Sequence, residues 1–333
     1  MKIYFGTYTK RSSEGVYVAD FDATTGELSN LELLIKEKNP TYLSFAKDGA
    51  LYTVGATEAG GGIAAYDANA QLLNHVVEEG APLCYVAVDE DRGLVYGANY
   101  HKGQVLVYKR QADGSLVLAD QVKHIGSGPH ENQASAHAHY ADLTPDKYLV
   151  ACDLGCDKIF TYKVDSDGQL EALASYQSTP GAGPRHLAFH PTAKIAYLMC
   201  ELNSTIEVLI YDGLGHFELM QTISTLPEDH TGFNGTAAIR VSNDGQFVYA
   251  SNRGHDSIAV FKVLGDASLE LVEIVSSHGK TPRDFILSPD NQFLIVAHQD
   301  SDNVTVFSRN VENGKLTEIS HDFQVPEAVC VLF

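Results

Sequence analysis

Three arginines, one glutamate and a pair of histidines stand out, because they recur at matching places in a chain that is otherwise poor in positive charge. Lysine and arginine together number 23 against 43 aspartates and glutamates, a formal charge of −20. An acidic protein repels nucleic acid and anionic membrane surfaces, so neither is expected as a partner. Arg185, Arg253 and Arg283 could nevertheless hold one small anion, since a guanidinium stays charged and offers a planar fork that grips a carboxylate or phosphate in bidentate fashion. Glu201 and a histidine of the His137-Ala138-His139 run could supply a base and an acid. The two histidines are spaced to face the same side of a strand, so spacing does not choose between them. Tyr100 and His298 occupy the neighbouring register and are taken as further ligand contacts. The bland reading stands beside this one: Arg185 and Glu201 may be no more than an ion pair between strands, and His186 and His190 read as packing or turn residues.

The elements that must position these residues are read from an internal repeat. It is clearest in Pro184-RHLAFHPTAKIAYLMCELNSTIEVLIYD, Thr236-AAIRVSNDGQFVYASNRGHDSIAVFKV and Pro282-RDFILSPDNQFLIVAHQDSDNVTVFSR. Each runs as an apolar strand, a polar turn, a second apolar strand, another turn and a third strand, with a weaker fourth to follow. A fixed point in the second strand falls at Tyr4, Tyr52, Tyr96, Val150, Tyr197, Tyr249 and Ile295, at intervals of about 50 residues. Seven units of four strands predict an all-β, seven-bladed propeller of antiparallel blades, a single domain over 1–333. Asp48-Gly49, Asp244-Gly245 and Asp290-Asn291 sit where its hairpins must turn. The chain ends on a first strand, Pro326-EAVCVLF, and begins on a second, Lys2-IYFGTY, so the termini are expected to share one blade and close the ring.

In that register the residue after each blade's opening proline is Thr41, Leu83, His139 (or His137), Arg185, Ala237, Arg283 and Glu327. Four residues past the strand-two marker stand Tyr8, Ala56, Tyr100, Leu154, Glu201, Arg253 and Gln299. Both sets are expected at one mouth of the channel. One residue earlier, Asn99, Asp153, Asn252 and His298 read mainly as turn-closing side chains.

Cys84, Cys152, Cys156, Cys200 and Cys330 form no CxxC pair, so neither disulfides nor a zinc site is expected. With no secretory leader and no membrane-length apolar run, the expected place is the cytoplasm. No metal or other cofactor is expected, and the sequence does not give the oligomeric state.

As a set, Gly6-Thr7-Tyr8-Thr9, His137-Ala138-His139, Asp153-Leu154-Gly155-Cys156-Asp157, Gly183-Pro184-Arg185-His186, Glu201-Leu202-Asn203, Ser251-Asn252-Arg253-Gly254 and Pro282-Arg283-Asp284-Phe285 resemble the lactonase-type seven-bladed propellers. That group includes the bacterial propeller 6-phosphogluconolactonases and the fungal carboxymuconate lactonising enzymes. The resemblance implies a lactone-hydrolysing enzyme without metal, with its functional residues at His137 or His139, Arg185, Glu201 and Arg253. The expected substrate is a small anionic lactone, foremost 6-phosphogluconolactone. The alternatives are a muconate-like acid and a non-catalytic propeller that binds a partner.

Overall fold

In a computed structural model that describes residues 1–333, twenty-eight strands form seven four-stranded antiparallel sheets, and there is no helix. The expected all-β blade pattern is what the chain adopts. Six sheets follow chain order, and the seventh runs Ala328–Leu332, Lys2–Thr7, Gly15–Phe21, Leu28–Lys36. Phe5 is paired with Val331 and Tyr4 with Leu332, so the two ends of the chain meet in one sheet as expected.

The chain forms two compact units. The first comprises Met1–Lys36, His186–Ile210 and Glu218–Phe333; the second comprises Glu37–Arg185 and Tyr211–Phe217. In both, burial grades across a sheet. The second strands Leu94–Asn99, Ile195–Cys200 and Phe293–His298 are buried at every position, whereas the fourth strand Leu316–Gln324 is mostly exposed. A strand covered on both faces must be apolar throughout, which is why the second strands carry the clearest repeat. In the second unit Tyr52, Val54, Val95, Leu106 and Tyr108 make one core cluster; in the first, Phe5, Phe21, Ile295 and Val306 make another. Each such side chain contributes about 1.5–3 kcal/mol on burial.

The tyrosines that mark the repeat are also bolts. Tyr52 donates its hydroxyl to the Gly114 carbonyl (2.9 Å) and accepts from Arg110 Nε (2.7 Å), both in the next sheet. In the first unit Tyr249 does the same with Gly314 O (2.9 Å) and Arg309 Nε (2.7 Å). The glycines sit at φ 88° and 74°, where a side chain would be strained, and so turn their carbonyls toward the hydroxyl. The Asp-Gly and Asp-Asn turns are also as expected, with Gly49, Gly245 and Asn291 at φ 87°, 72° and 59°.

First strands carry a feature that periodicity does not reveal. Between Ala138 and Tyr140, and again between Pro282 and Asp284, the ladder skips a residue: Pro282 pairs with His298 and Asp284 with Ala297. His139 and Arg283 are therefore bulge residues at equivalent points of two sheets. A bulge frees a side chain from the alternation of its strand and re-aims it.

Candidate active site

In the first unit, Arg253 ends the strand Phe247–Arg253 and Glu201 follows the strand Ile195–Cys200, so the ends of two second strands bring them together. Arg253 Nη2 lies 2.9 Å from Glu201 Oε2, both side chains mostly buried. Arg253 also donates from Nε to Gly235 O (3.1 Å) and from Nη2 to Thr236 O (3.0 Å). Gly235 packs close: a Cβ there would stand 3.2 Å from Arg253 Nη2, so the guanidinium would have to shift slightly. These bonds fix the guanidinium plane and leave the Nη1 donors unused. Burial draws the Arg253 pKa below the ordinary arginine value; the Glu201 carboxylate opposes that shift and the like charge of Arg283 adds to it. The guanidinium stays protonated all the same.

Arg283, half-buried, reaches Gln299 Oε1 from Nη1 at 3.4 Å and lies over the Tyr8 ring, 5.7 Å from its centroid. Lys10 Nζ stands 4.0 Å from the centroid of the same ring. Neither cation has a carboxylate in hydrogen-bond contact. Arg253 is thus paired with Glu201, while Arg283 and Lys10 meet over the Tyr8 ring, in a protein whose total charge is −20. Such a cluster attracts an anion, and its field is stronger for being partly removed from water.

In the second unit, His137, His139 and Tyr100 are brought together. The His137 ring is stacked on Tyr100 (centroids 4.4 Å apart, planes at 10°) and its Nδ1 lies 2.9 Å from the Tyr100 carbonyl. The buried His139 ring meets the edge of Tyr100 at 5.9 Å. The bulge and the start of the strand at Ala138 separate the two histidines, so the simple alternation expected of them does not hold. Behind them Asp153, fully buried, accepts the His137, Gly155 and Cys156 amides (2.8, 3.0 and 3.0 Å) and lies 2.7 Å from His124 Nδ1. Burial pushes the Asp153 carboxyl up, but the His124 bond and charge and those amides outweigh it, so the pKa falls below the usual value. Gly155 has no alternative, because a Cβ would collide with the Ser135 carbonyl. Arg185 is buried at the second position of the strand Pro184–Phe189.

Two positions depart from expectation. His298 is fully buried: its Nδ1 lies 3.1 Å from Asn303 O, and Gly279 packs so close that a Cβ there would strike the ring. Burial pulls its pKa down to about 4. A neutral imidazole inside the sheet is a structural element, which corrects its reading as a ligand contact. Glu327 does not extend the ring of bulge residues either. The last strand begins at Ala328, and the Glu327 carboxylate collects the amides of Lys10, Arg11, Ser12 and Ser13 at 2.8–3.1 Å. It shapes the loop that carries Lys10, a role without a motif. The turn-closing reading does hold for Asn99, which accepts the Lys102 amide (3.1 Å), and for Asn252, which donates to Ser257 Oγ (3.1 Å). None of the five cysteines is in a disulfide, and burial raises the thiol pKa of Cys152 and of Cys156, the latter to about 12.

Seven antiparallel four-stranded blades, with Arg253, Glu201 and Arg283 at the ends of their strands, define a β-propeller. Residues 2–333 match the family described as "Lactonase, 7-bladed beta-propeller", and the chain belongs to it, as a hydrolase of the lactonase class. A protein of Bacillus subtilis named 6-phosphogluconolactonase is 44% identical over 99% of this chain and 97% of its own length. Among solved structures, one from Lactobacillus plantarum is similar at 47% identity and a TM-score of 0.97, covering 99% of this chain and 98% of that one. The periplasmic gluconolactonase of Pseudomonas aeruginosa is similar at 32% identity and a TM-score of 0.93, with the same coverage. No helix is long and apolar enough to cross a membrane.

Proposed function

We propose that this lactonase hydrolyses 6-phosphogluconolactone to 6-phosphogluconate, using Arg253, Arg283 and Glu201. The observation that carries the reading is the gathering of cations: Arg253 beside Glu201, and Arg283 and Lys10 over the Tyr8 ring. A phosphorylated lactone brings negative charge to these cations, and the 6-phosphogluconolactonase of Bacillus subtilis supports this substrate.

In this reading Arg283 and Lys10 hold the phosphate. Arg253, its plane fixed by Gly235 and Thr236, directs its remaining donors at the lactone carbonyl and stabilises the oxyanion that forms as water attacks. Glu201 takes the proton from that water. The tetrahedral intermediate then expels the ring oxygen, which leaves as a hydroxyl on receiving that proton, and the product is the open acid. Positioned acid–base groups of this kind contribute about 10²- to 10⁴-fold in rate. His137 or His139, Arg185 and Tyr100 are proposed as further participants on the strength of their motifs. No cofactor enters the scheme. A substrate with a charged phosphate is retained by a bilayer, which favours the cytoplasm as the place of action.

The test is hydrolysis of freshly prepared lactone by the purified protein, measured against the spontaneous rate. No rate above background sinks the proposal for this substrate. The similarity to the Pseudomonas gluconolactonase favours a second reading, an unphosphorylated sugar lactone. The ratio of kcat/KM on the two lactones decides between them: the charge argument requires that the phosphate be preferred.

A further inference from the structure

We propose that His278, Glu318 and His321 form a binding site for a divalent transition-metal ion of borderline softness, Zn²⁺ foremost. The three side chains are exposed, and one ligand atom from each lies within 4.8 Å of the other two. His321 Nδ1 is 2.8 Å from Glu318 Oε1, and the His278 and His321 rings lie 5.5 Å apart at 22°. Zinc bonds to imidazole and carboxylate are about 2.0–2.2 Å long, so donors around one ion stand roughly 3.3–3.5 Å apart. Small side-chain rotations at the surface close that gap.

The backbone makes this meeting possible. Glu318 and His321 are three residues apart on the strand Leu316–Gln324, where strict alternation would put them on opposite faces. The ladder shifts twice here, between Phe307, opposite Glu318, and Val306, opposite Ser320, and again between Val306 and Val304, opposite Phe323. These bulges break the simple alternation, and Glu318 and His321 meet on one side.

The third ligand comes from the loop after the strand Leu269–Ser276, and a single amide ties it to the second. Asn303 Nδ2 donates to the carbonyl of His278 (3.1 Å) and to that of His321 (2.8 Å), while its Oδ1 accepts from Ser301 Oγ (2.6 Å). His278 itself sits at φ 58°, with its amide on Ser276 Oγ at 3.1 Å. A left-handed histidine held from three sides is more than a frayed loop needs.

Two imidazoles and one carboxylate, with room for water in the fourth position, suit zinc better than calcium or magnesium, which prefer oxygen. The hydrogen bond from His321, with the charges of His278 and His321, already holds the Glu318 carboxyl below its usual pKa. The ion would link the segment leading to Arg283 with the outermost strand of the same sheet. It is apart from the arginine cluster, and its existence does not depend on the substrate assigned there.

The experiment is a titration of tag-free protein with Zn²⁺ at pH 7.5, in competition with a chromophoric chelator. We expect one ion per chain in this affinity range, with affinity lowered tenfold or more in His278→Ala and in His321→Ala. Circular dichroism and lactonase activity serve as controls for folding, and both should be unchanged. Affinity should also fall as the pH drops to 5.5, because both imidazoles must be neutral to bind. A wild-type protein that does not compete for the ion overturns the site. So does binding that survives both histidine substitutions, which would place the ion elsewhere among the 14 histidines.

Discussion

Arg253 grips Glu201 through the same nitrogen, Nη2, that holds the Thr236 carbonyl, so the ion pair and the backbone of the next first strand are fixed by one atom. The pair is anchored to the backbone of the neighbouring first strand at both Gly235 and Thr236, which an incidental surface contact would not need.

Substituting that arginine should therefore do more than remove a charge. Arg253→Lys keeps the charge but not the fork, and kcat on the lactone should fall by about 10²- to 10³-fold, the usual cost of losing an oxyanion donor. Steady-state kinetics on the phosphorylated lactone checks this. A kcat within a few-fold of the wild type would remove Arg253 from the chemistry.

Arg283 is predicted to act on binding instead. Hydrogen bonds to a charged group contribute about 1.5–3 kcal/mol, so Arg283→Ala should raise KM for the phosphorylated lactone by about 10- to 100-fold with little change in kcat. On the unphosphorylated lactone the same variant should behave almost as wild type. Equal losses on both substrates would show that Arg283 does not read the phosphate.

How much of this was legible in the sequence depends on which force sets each position. Tyr52, Tyr96, Tyr197 and Tyr249 announced the blades because each is fully buried in a second strand, where a large side chain recurs at the same point, and the period followed. The bulges at His139 and Arg283 left no trace, since a ladder skips a residue without any change in residue type. Glu327 was misjudged because Pro326 resembles Pro282, yet the strand after it starts later and the carboxylate turns to the loop amides. His298 shares its register with Asn99 and Asn252, but nothing in its identity told that Gly279 would close over the ring.

The buried His298 should make stability depend on pH. Its folded pKa, about 4, lies below the ordinary histidine value near 6.5, so the unfolded chain binds the proton more readily. The stabilisation is complete above pH 6.5 and is lost as the pH falls from there toward 4, by about 3 kcal/mol in all. Melting curves between pH 7.5 and 5 should show this slope, and His298→Gln should flatten it whatever its effect at neutral pH. An unchanged slope in the variant would assign the titration to another group.

Asp153 responds in the same direction, in a lower pH window. Its carboxyl titrates below the unfolded value near 4, so its contribution is present above that value and lost only as the pH falls through the lower folded one. Asp153→Asn, which cannot accept from His124 and three amides alike, should cost about 3–5 kcal/mol. Chemical denaturation measures it; a loss under 1 kcal/mol would mean that the His137 segment does not lean on this side chain.

The pairing of Phe5 with Val331 has a consequence for biogenesis. A chain emerging from the ribosome makes Lys2–Thr7 long before it can supply its neighbour, Ala328–Leu332. For all that time an apolar strand edge waits without its partner, open to any other extended peptide nearby. A chain that lacks the Ala328–Leu332 strand is thus expected to aggregate rather than behave as a slightly shortened enzyme.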